Sequence, residues 1–254
     1  TKRSRKVASQ LSSGINHLLK KNKVKIFEGF GSLIKDKSSL KKISIKKNDN
    51  LITKSAKNII LATGARSRNL PFVSADGINI WDYKTAMTPP NLPSSLVIVG
   101  SGAIGIEFAS FYNDLGVDVT IIESLPSILP NEDIDISNIV KTNFEKRGIK
   151  IKTNTTLKSV NNKMDSIAAE ISTNGKLEII KSEKLILAVG IIANTEKLGL
   201  ENFNIKIDKG HIVTNEFLET NEKGIYAIGD ITEGPWLAHK ASHEGILCVE
   251  NIAG

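Results

Sequence analysis

The chain of 254 residues holds one cysteine, Cys248, which leaves no partner for an internal disulfide and no Cys-x-x-Cys pair for metal or redox work. Histidine is nearly as scarce, with four in all. His239 and His243 stand four apart without a third ligand, so zinc is not expected. Aromatic residues make up 5% of the sequence and do not interleave with its lysine-rich loops. The net charge of +7, from 34 Lys and Arg against 27 Asp and Glu, therefore has neither a basic stripe nor a motif to make it a nucleic-acid surface. No apolar run approaches the roughly 18 residues of a membrane span. The basic opening, Thr1 to Lys6, is not followed by the apolar core of a signal peptide, and the cytoplasm is the expected location. What remains is a chain long enough for two ordinary domains with cores of their own.

The most informative stretch is Leu96 to Glu123. A short apolar run, Leu96 to Val99, turns through Gly100-x-Gly102-x-x-Gly105 and continues with Ile104, Phe108, Phe111, Tyr112 and Leu115 on one side, the pattern of strand, tight turn and helix. After Gly116 a second apolar strand carries Val117, Val119, Ile121 and Ile122 and ends on Glu123, about 20 residues beyond the glycines. Gly100 makes the turn, Gly102 lets backbone approach a pyrophosphate, and Gly105 lets the helix lie close on the strand. The helix start offers free N–H groups to phosphates. Glu123 would accept hydrogen bonds from both ribose hydroxyls of an adenosine and repel a 2′-phosphate, a preference for NAD over NADP.

Elsewhere the periodicities predict an amphipathic helix from Lys6 to Lys21 with one buried stripe, and short strands at Val24–Phe27, Ser32–Ile34, Ile43–Ile45 and Leu51–Thr53 in an antiparallel meander. An apolar strand, Asn58 to Ala62, runs into Thr63-Gly64-Ala65. Arg66 to Ser95 is rich in proline and reads as a linker, with a short helix at Tyr83–Met87 and Trp81 packing between domains. A helix is expected from Ile134 to Arg147, stopped by Gly148, then a third strand, Ile149–Ile151. A second meander, Leu157–Val160, Ser166–Ile171 and Leu177–Ile180, leads into the strand ending at Gly190. Meander, apolar strand and glycine thus occur twice, which predicts two related nucleotide domains. The strand from Gly224 ends in Asp230. A last helix begins near Trp236 or Leu237, with Ala241, Gly245, Cys248 and Ile252 on its apolar stripe and Cys248 as a small buried hydrophobe.

Taken together, Ala62-Thr63-Gly64, the run Gly100-Ser101-Gly102-Ala103-Ile104-Gly105-Ile106-Glu107-Phe108, Ala188-Val189-Gly190 and Ala227-Ile228-Gly229-Asp230 resemble the flavin-containing pyridine nucleotide-disulfide oxidoreductases. Gly234-Pro235-Trp236-Leu237-Ala238-His239-Lys240-Ala241 looks like their dihydrolipoamide dehydrogenase branch. The resemblance implies an α/β protein of two Rossmann-like nucleotide-binding domains, each with a β-meander. An NAD domain, residues 76–214, interrupts an FAD domain formed by residues 1–75 and 215–254. It places Gly100, Ser101, Gly102, Ala103, Ile104, Gly105, Ile106 and Glu107 along the NAD diphosphate and nicotinamide, Glu123 at the ribose, Leu157 at the adenine and Gly190 at the nicotinamide end. For FAD it implies Gly31 near the adenine, Thr63, Gly64 and Ala65 along the cofactor, Asp230 at the ribityl chain, and Trp236, Leu237, Ala238 and His239 under the flavin. Two blander roles stay open. Glu107 is an acid in the first helical turn, where the dipole favours one, and Asp230 could simply cap the turn after it.

The same resemblance implies electron transfer from dihydrolipoamide on a 2-oxoacid dehydrogenase complex, through a disulfide and FAD, to NAD, in a homodimer. The family's first glycine fingerprint, its Cys-x-x-x-x-Cys and its His-x-x-x-x-Glu have no counterpart here, so the chain is expected to be an internal piece of a longer enzyme, inactive alone and aggregation-prone while its NAD domain folds. Gly190 is followed by Ile191 and Ile192 where Arg and Pro are usual, leaving the subfamily open. The alternatives are another reductase or NADH oxidase of the superfamily, or a non-catalytic NADH-binding module.

Overall fold

A computed structural model describes residues 2–35, 40–164 and 166–254. The chain divides into two compact units, one built on Ser67–Ile191 and the other on Arg5–Arg66 with Ile192–Gly254. The first helix, α1 (Lys2–Lys21), is longer than the periodicity predicts and differs from it in burial. None of its residues is buried, and its stripe of Val7, Leu11, Ile15 and Leu18 faces solvent. The 3.6-residue pattern gives the helix but not the surface it is cut to fit. Val24 to Phe27 forms no strand, because a strand needs a ladder partner and this segment has none among the described residues; Val24, Ile26 and Phe27 are exposed. Strands β1 (Phe30–Ile34), β2 (Lys41–Lys47) and β3 (Asn50–Ala56) make the expected antiparallel meander, Ser32 opposite Ser44 and Ser44 opposite Thr53. Then come β4 (Ile59–Leu61) and β5 (Ala65–Ser67).

The unit built on Ser67–Ile191 begins with β6 (Ile80–Trp81) and α2 (Tyr83–Met87). It continues with β7 (Ser95–Val99), α3 (Ala103–Asp114), β8 (Asp118–Ile122), α4 (Ile134–Lys146) and β9 (Lys150–Lys152). The meander β10 (Thr155–Lys163), β11 (Ser166–Thr173) and β12 (Lys176–Ser182) precedes β13 (Lys184–Leu187). Its five-stranded sheet runs β6-β13-β7-β8-β9, all parallel. Alternation along β7 divides the core. Leu96 and Ile98 join Ala109, Tyr112, Val119, Ile121 and Phe144 under the helices, while Val97 and Val99 join Ile122, Ile167, Ile171, Leu185 and Leu187 under the meander. Each of these buried aliphatic side chains contributes about 1.5–3 kcal/mol relative to exposure.

Three expectations fail here for identifiable reasons. The proline-rich stretch from Arg66 to Ser95 is not only a linker, since β6 adds an edge strand to the sheet. Trp81 is fully buried within this one unit, donating Nε1–H to the Ile78 carbonyl at 2.9 Å with its ring 6.2 Å from that of Tyr112. On α3 the face against the sheet is Gly105, Ala109 and Tyr112, whereas Ile104, Phe111 and Leu115 are exposed. Beside the turn only a residue without a side chain fits, because the helix lies so close there. A Cβ on Gly105 would lie 2.1 Å from the Gly100 carbonyl oxygen. Tyr112 donates its hydroxyl to the Ala86 carbonyl at 2.7 Å, and burial pushes that hydroxyl's pKa up to about 12.

The remaining elements are β14 (Ile191–Ala193), β15 (Ile207–Asp208), β16 (His211–Ile212), β17 (Ile225–Ala227) and α5 (Ala238–Ala253). Strand β17 pairs in parallel with β4, Ile225 against Ile59 and Ala227 against Leu61. Their core gathers Leu33, Ile59, Leu61, Phe203, Ile225 and Ile231. Cys248 is wholly buried, and burial pushes its thiol pKa up, as its place on the apolar stripe predicts.

Two outcomes are expected. Gly105→Ala should lower the stability of the Ser67–Ile191 unit by about 3 kcal/mol, at the upper end of overpacking costs, measurable by urea unfolding followed through Trp81. Leu11→Lys with Ile15→Lys should leave the melting temperature within about 1 °C, because neither side chain is buried, and raise the monomer fraction on size-exclusion chromatography.

Candidate functional site

Strands β7, β8 and β13 end level, since Val99 pairs with Ile122 and with Leu187. Their carboxyl ends therefore deliver Gly100, Glu123 and Ala188 to one edge of the sheet, where open α/β sheets bind ligands. Gly100 has φ 99°, a left-handed conformation, and a Cβ there would lie 2.3 Å from the Ala188 carbonyl oxygen. Gly102 precedes α3 and has no side-chain cap, so nothing covers the helix's first N–H groups from that position. A Cβ on Gly102 would meet nothing within 4 Å. Packing within the protein thus accounts for Gly100 and Gly105, whereas no contact inside the protein requires glycine at 102.

Glu123 is 6% exposed and Ser101 fully buried. One carboxylate oxygen of Glu123, Oε2, accepts from the Ser101 backbone N–H at 2.9 Å and from the Ser101 hydroxyl at 2.6 Å. The other, Oε1, accepts from the Leu125 N–H at 2.8 Å and the Ser124 hydroxyl at 3.2 Å. The loop after β8 is tied back to the same turn, with Leu129, at φ 47°, donating its N–H to the Ser101 carbonyl at 2.9 Å. Of the other residues expected here, Ala103, Ile104 and Glu107 lie exposed on the first turns of α3, Ile106 is half-buried, and Gly190 is exposed with φ 103° and open space where a Cβ would be. Leu157 is 7% exposed and packs in the core under the meander.

In the other unit Gly31 lies within β1, and Thr63, Gly64 and Ala65 follow β4. Thr63 and Asn194 bond reciprocally, Thr63 hydroxyl to Asn194 carbonyl and Asn194 amide to Thr63 carbonyl, both at 2.9 Å. Arg66 grips Glu196 with two N–H groups and Asn194 with one, and the ion pair raises the pKa of Arg66 and lowers that of Glu196. Phe30, Thr63, Arg66, Asn194, Glu196 and Leu198 line a cleft of about 550 Å³. Asp230 is half-buried in the turn after β17, and Trp236, Leu237, Ala238 and His239 lie exposed at the start of α5, which has no side-chain cap.

The family model for pyridine nucleotide-disulphide oxidoreductases matches residues 1–245. The chain belongs to this family. The dihydrolipoyl dehydrogenase of Zymomonas mobilis is 45% identical over 253 residues, covering 99% of this chain and 54% of that protein. That of Bacillus subtilis is 38% identical over 262 residues, covering 99% and 55%. The crystal structure of LpdA from Mycobacterium tuberculosis is similar with a TM-score of 0.92 at 28% identity, over 99% of this chain and 55% of that one. The chain spans about half the length of the curated relatives it matches. Its α/β fold is that of the pyridine nucleotide-disulphide oxidoreductases, and among the described residues no helix is long and apolar enough to cross a membrane.

Glu244 has no motif in the sequence to mark it. From α5 its Oε2 accepts the Gly229 N–H at 2.7 Å, and its Oε1 pairs with Lys240 Nζ at 2.7 Å. Lys240 in turn donates to the Glu233 carbonyl. One carboxylate thus fixes the turn that carries Asp230 to the helix start that carries His239. His211, which no motif marks either, stacks on Trp236 at 5.4 Å. The i, i+4 spacing of Lys240 and Glu244 was the available signal for the ion pair, but the bond to Gly229 crosses 15 residues and has none. Glu244→Ala should cost about 1–3 kcal/mol by leaving the part-buried Gly229 N–H unpaired. Glu244→Gln, which keeps an acceptor, should cost less, and urea midpoints distinguish the two.

Proposed function

We propose that this chain is the NAD-binding part, with a portion of the FAD-binding part, of a dihydrolipoyl dehydrogenase-like flavoprotein. In this reading Ser67–Ile191 forms the core of an NAD domain inserted into the sequence of an FAD domain. Residues 76–214 are the NAD segment, residues 1–75 and 215–254 the flanking FAD segments. The observation that carries it is the contrast among three glycines: two are demanded by internal contacts, while Gly102 keeps open a place for a pyrophosphate beside the start of α3. Glu123, at the level end of the next strand, supplies the acceptor for an adenosine ribose and a negative charge against a 2′-phosphate. Glu107 and Gly190 stand exposed toward the nicotinamide half.

The second unit suits a flavin for the same kind of reason. The uncapped start of α5, at Leu237 to His239, presents N–H groups and the positive end of a 16-residue helix, which stabilise negative charge on a ring lying against them. Asp230, held by the Glu244 contact to Gly229, would bind the ribityl hydroxyls, with Gly31, Thr63, Gly64 and Ala65 along the rest of the cofactor. When bound, FAD would supply two-electron chemistry, taking electrons from a dithiol and passing them as hydride to NAD. The proposed substrate is dihydrolipoamide on a 2-oxoacid dehydrogenase complex, and the proposed assembly a homodimer. This follows the relatives named dihydrolipoyl dehydrogenase.

Calorimetric titration of the chain with NADH and NADPH tests the cofactor assignment. NADH should bind at least about tenfold tighter, a difference of about 1.4 kcal/mol. Glu123→Ala should narrow that preference. Gly102→Ala, at φ −67° where alanine is comfortable, should leave the melt unchanged and weaken NADH. Equal affinity for the two nucleotides would sink the role given to Glu123.

A further inference from the structure

A carboxylate has about four acceptor positions, and all four of Glu123's are taken by protein donors. The donors are of two kinds. The N–H groups of Ser101 and Leu125 are fixed by backbone, the former in a residue that is itself held by the Leu129 N–H to Ser101 carbonyl bond. The hydroxyls of Ser101 and Ser124 are each carried on a single rotatable bond. An adenosine ribose brings two vicinal hydroxyls. We propose that the Ser101 and Ser124 hydroxyls are stand-ins for the ribose hydroxyls, exchanged two for two when the dinucleotide engages Glu123, and that Ser101 thereby sets the affinity. The inference rests on the assignment of Glu123 to the ribose.

The two serines are unequal. Ser124 is exposed, its bond is 3.2 Å long, and water can take its place. Ser101 is fully buried and its hydroxyl lies 2.6 Å from the carboxylate oxygen, a short charge-assisted bond. A buried carboxylate lacking that donor is costly, so the serine stabilises the protein before nucleotide arrives and competes with it afterwards. Part of what the ribose contributes is spent in restoring what it displaces. Ser101 is on this account a positioning residue that sets affinity through Glu123, and the stability it confers opposes binding.

The test is calorimetry on the 254-residue chain, wild type and Ser101→Ala, with NADH, ADP and 2′-deoxy-ADP, alongside melts without nucleotide. Ser101→Ala should melt lower alone yet bind NADH about three- to tenfold tighter, the range of an ordinary hydrogen bond's net contribution. The loss on removing the 2′-hydroxyl from ADP should be larger in Ser101→Ala than in wild type, which a purely structural role would not produce. Ser101→Cys fills the same space with a weaker donor and should fall between, so the comparison survives if the alanine variant does not fold. Weaker or unchanged NADH affinity in both variants would overturn the exchange and leave the serine as an orienting group. If wild type shows no preference for NADH over NADPH and Glu123→Ala changes nothing, the ribose assignment falls, and the exchange with it. If the preference stands and the serine variants do not tighten, the exchange alone falls.

Discussion

The contact on which the Ser67–Ile191 unit depends is the one between a carbonyl and a missing methyl. The Gly100 oxygen lies where a Cβ of Gly105 would be, and the Ala188 oxygen lies where a Cβ of Gly100 would be. Three chain segments are locked at van der Waals distance by the absence of two side chains. Because α3 lies this low on the sheet, its buried face has room only for Gly105 and Ala109 until Tyr112 reaches over toward α2. The same proximity aims the helix start at the sheet's carboxyl edge. Site geometry and core packing are here one constraint seen from two sides, in line with the close helix–strand approach that the glycine fingerprint encodes.

How much of this the sequence made legible depended on range. The parallel strands other than β6, three strands of the first meander, the second meander, α2 and α4 follow from local periodicity and stop signals within a few residues, and they stand close to where expected. Glu123 was legible because strand length and helix length together fix its distance from the glycines. What was not legible is what depends on a distant surface. The amphipathic pattern of α1 predicts a buried stripe, but pattern describes a face and not what meets it. Val24 to Phe27 failed as a strand for the same reason. The sequence does not place Trp81, because proline-rich composition hides a two-residue edge strand whose ladder partner, β13, is about 100 residues away.

The polar contacts around the site show the limit more sharply. The Ser101 and Glu123 side chains meet across 22 residues, Thr63 and Asn194 across 131, and Gly229 and Glu244 across 15. None has a periodic signature. Each satisfies a backbone or carboxylate group at a turn where regular hydrogen bonding stops, which is where functional residues gather and where burial makes an unmet donor or acceptor costly.

Cys248 has a use unrelated to chemistry at the site. Its sulfur is sealed under α5 and its burial holds it in the thiol form, so an alkylating reagent reaches it only when that helix lifts. Being the chain's single cysteine, it makes the rate of labelling a clock for one local event. When closing outpaces labelling, that rate reports the equilibrium fraction of open helix, and the opening free energy of the segment carrying His239 becomes readable apart from that of the parallel sheet.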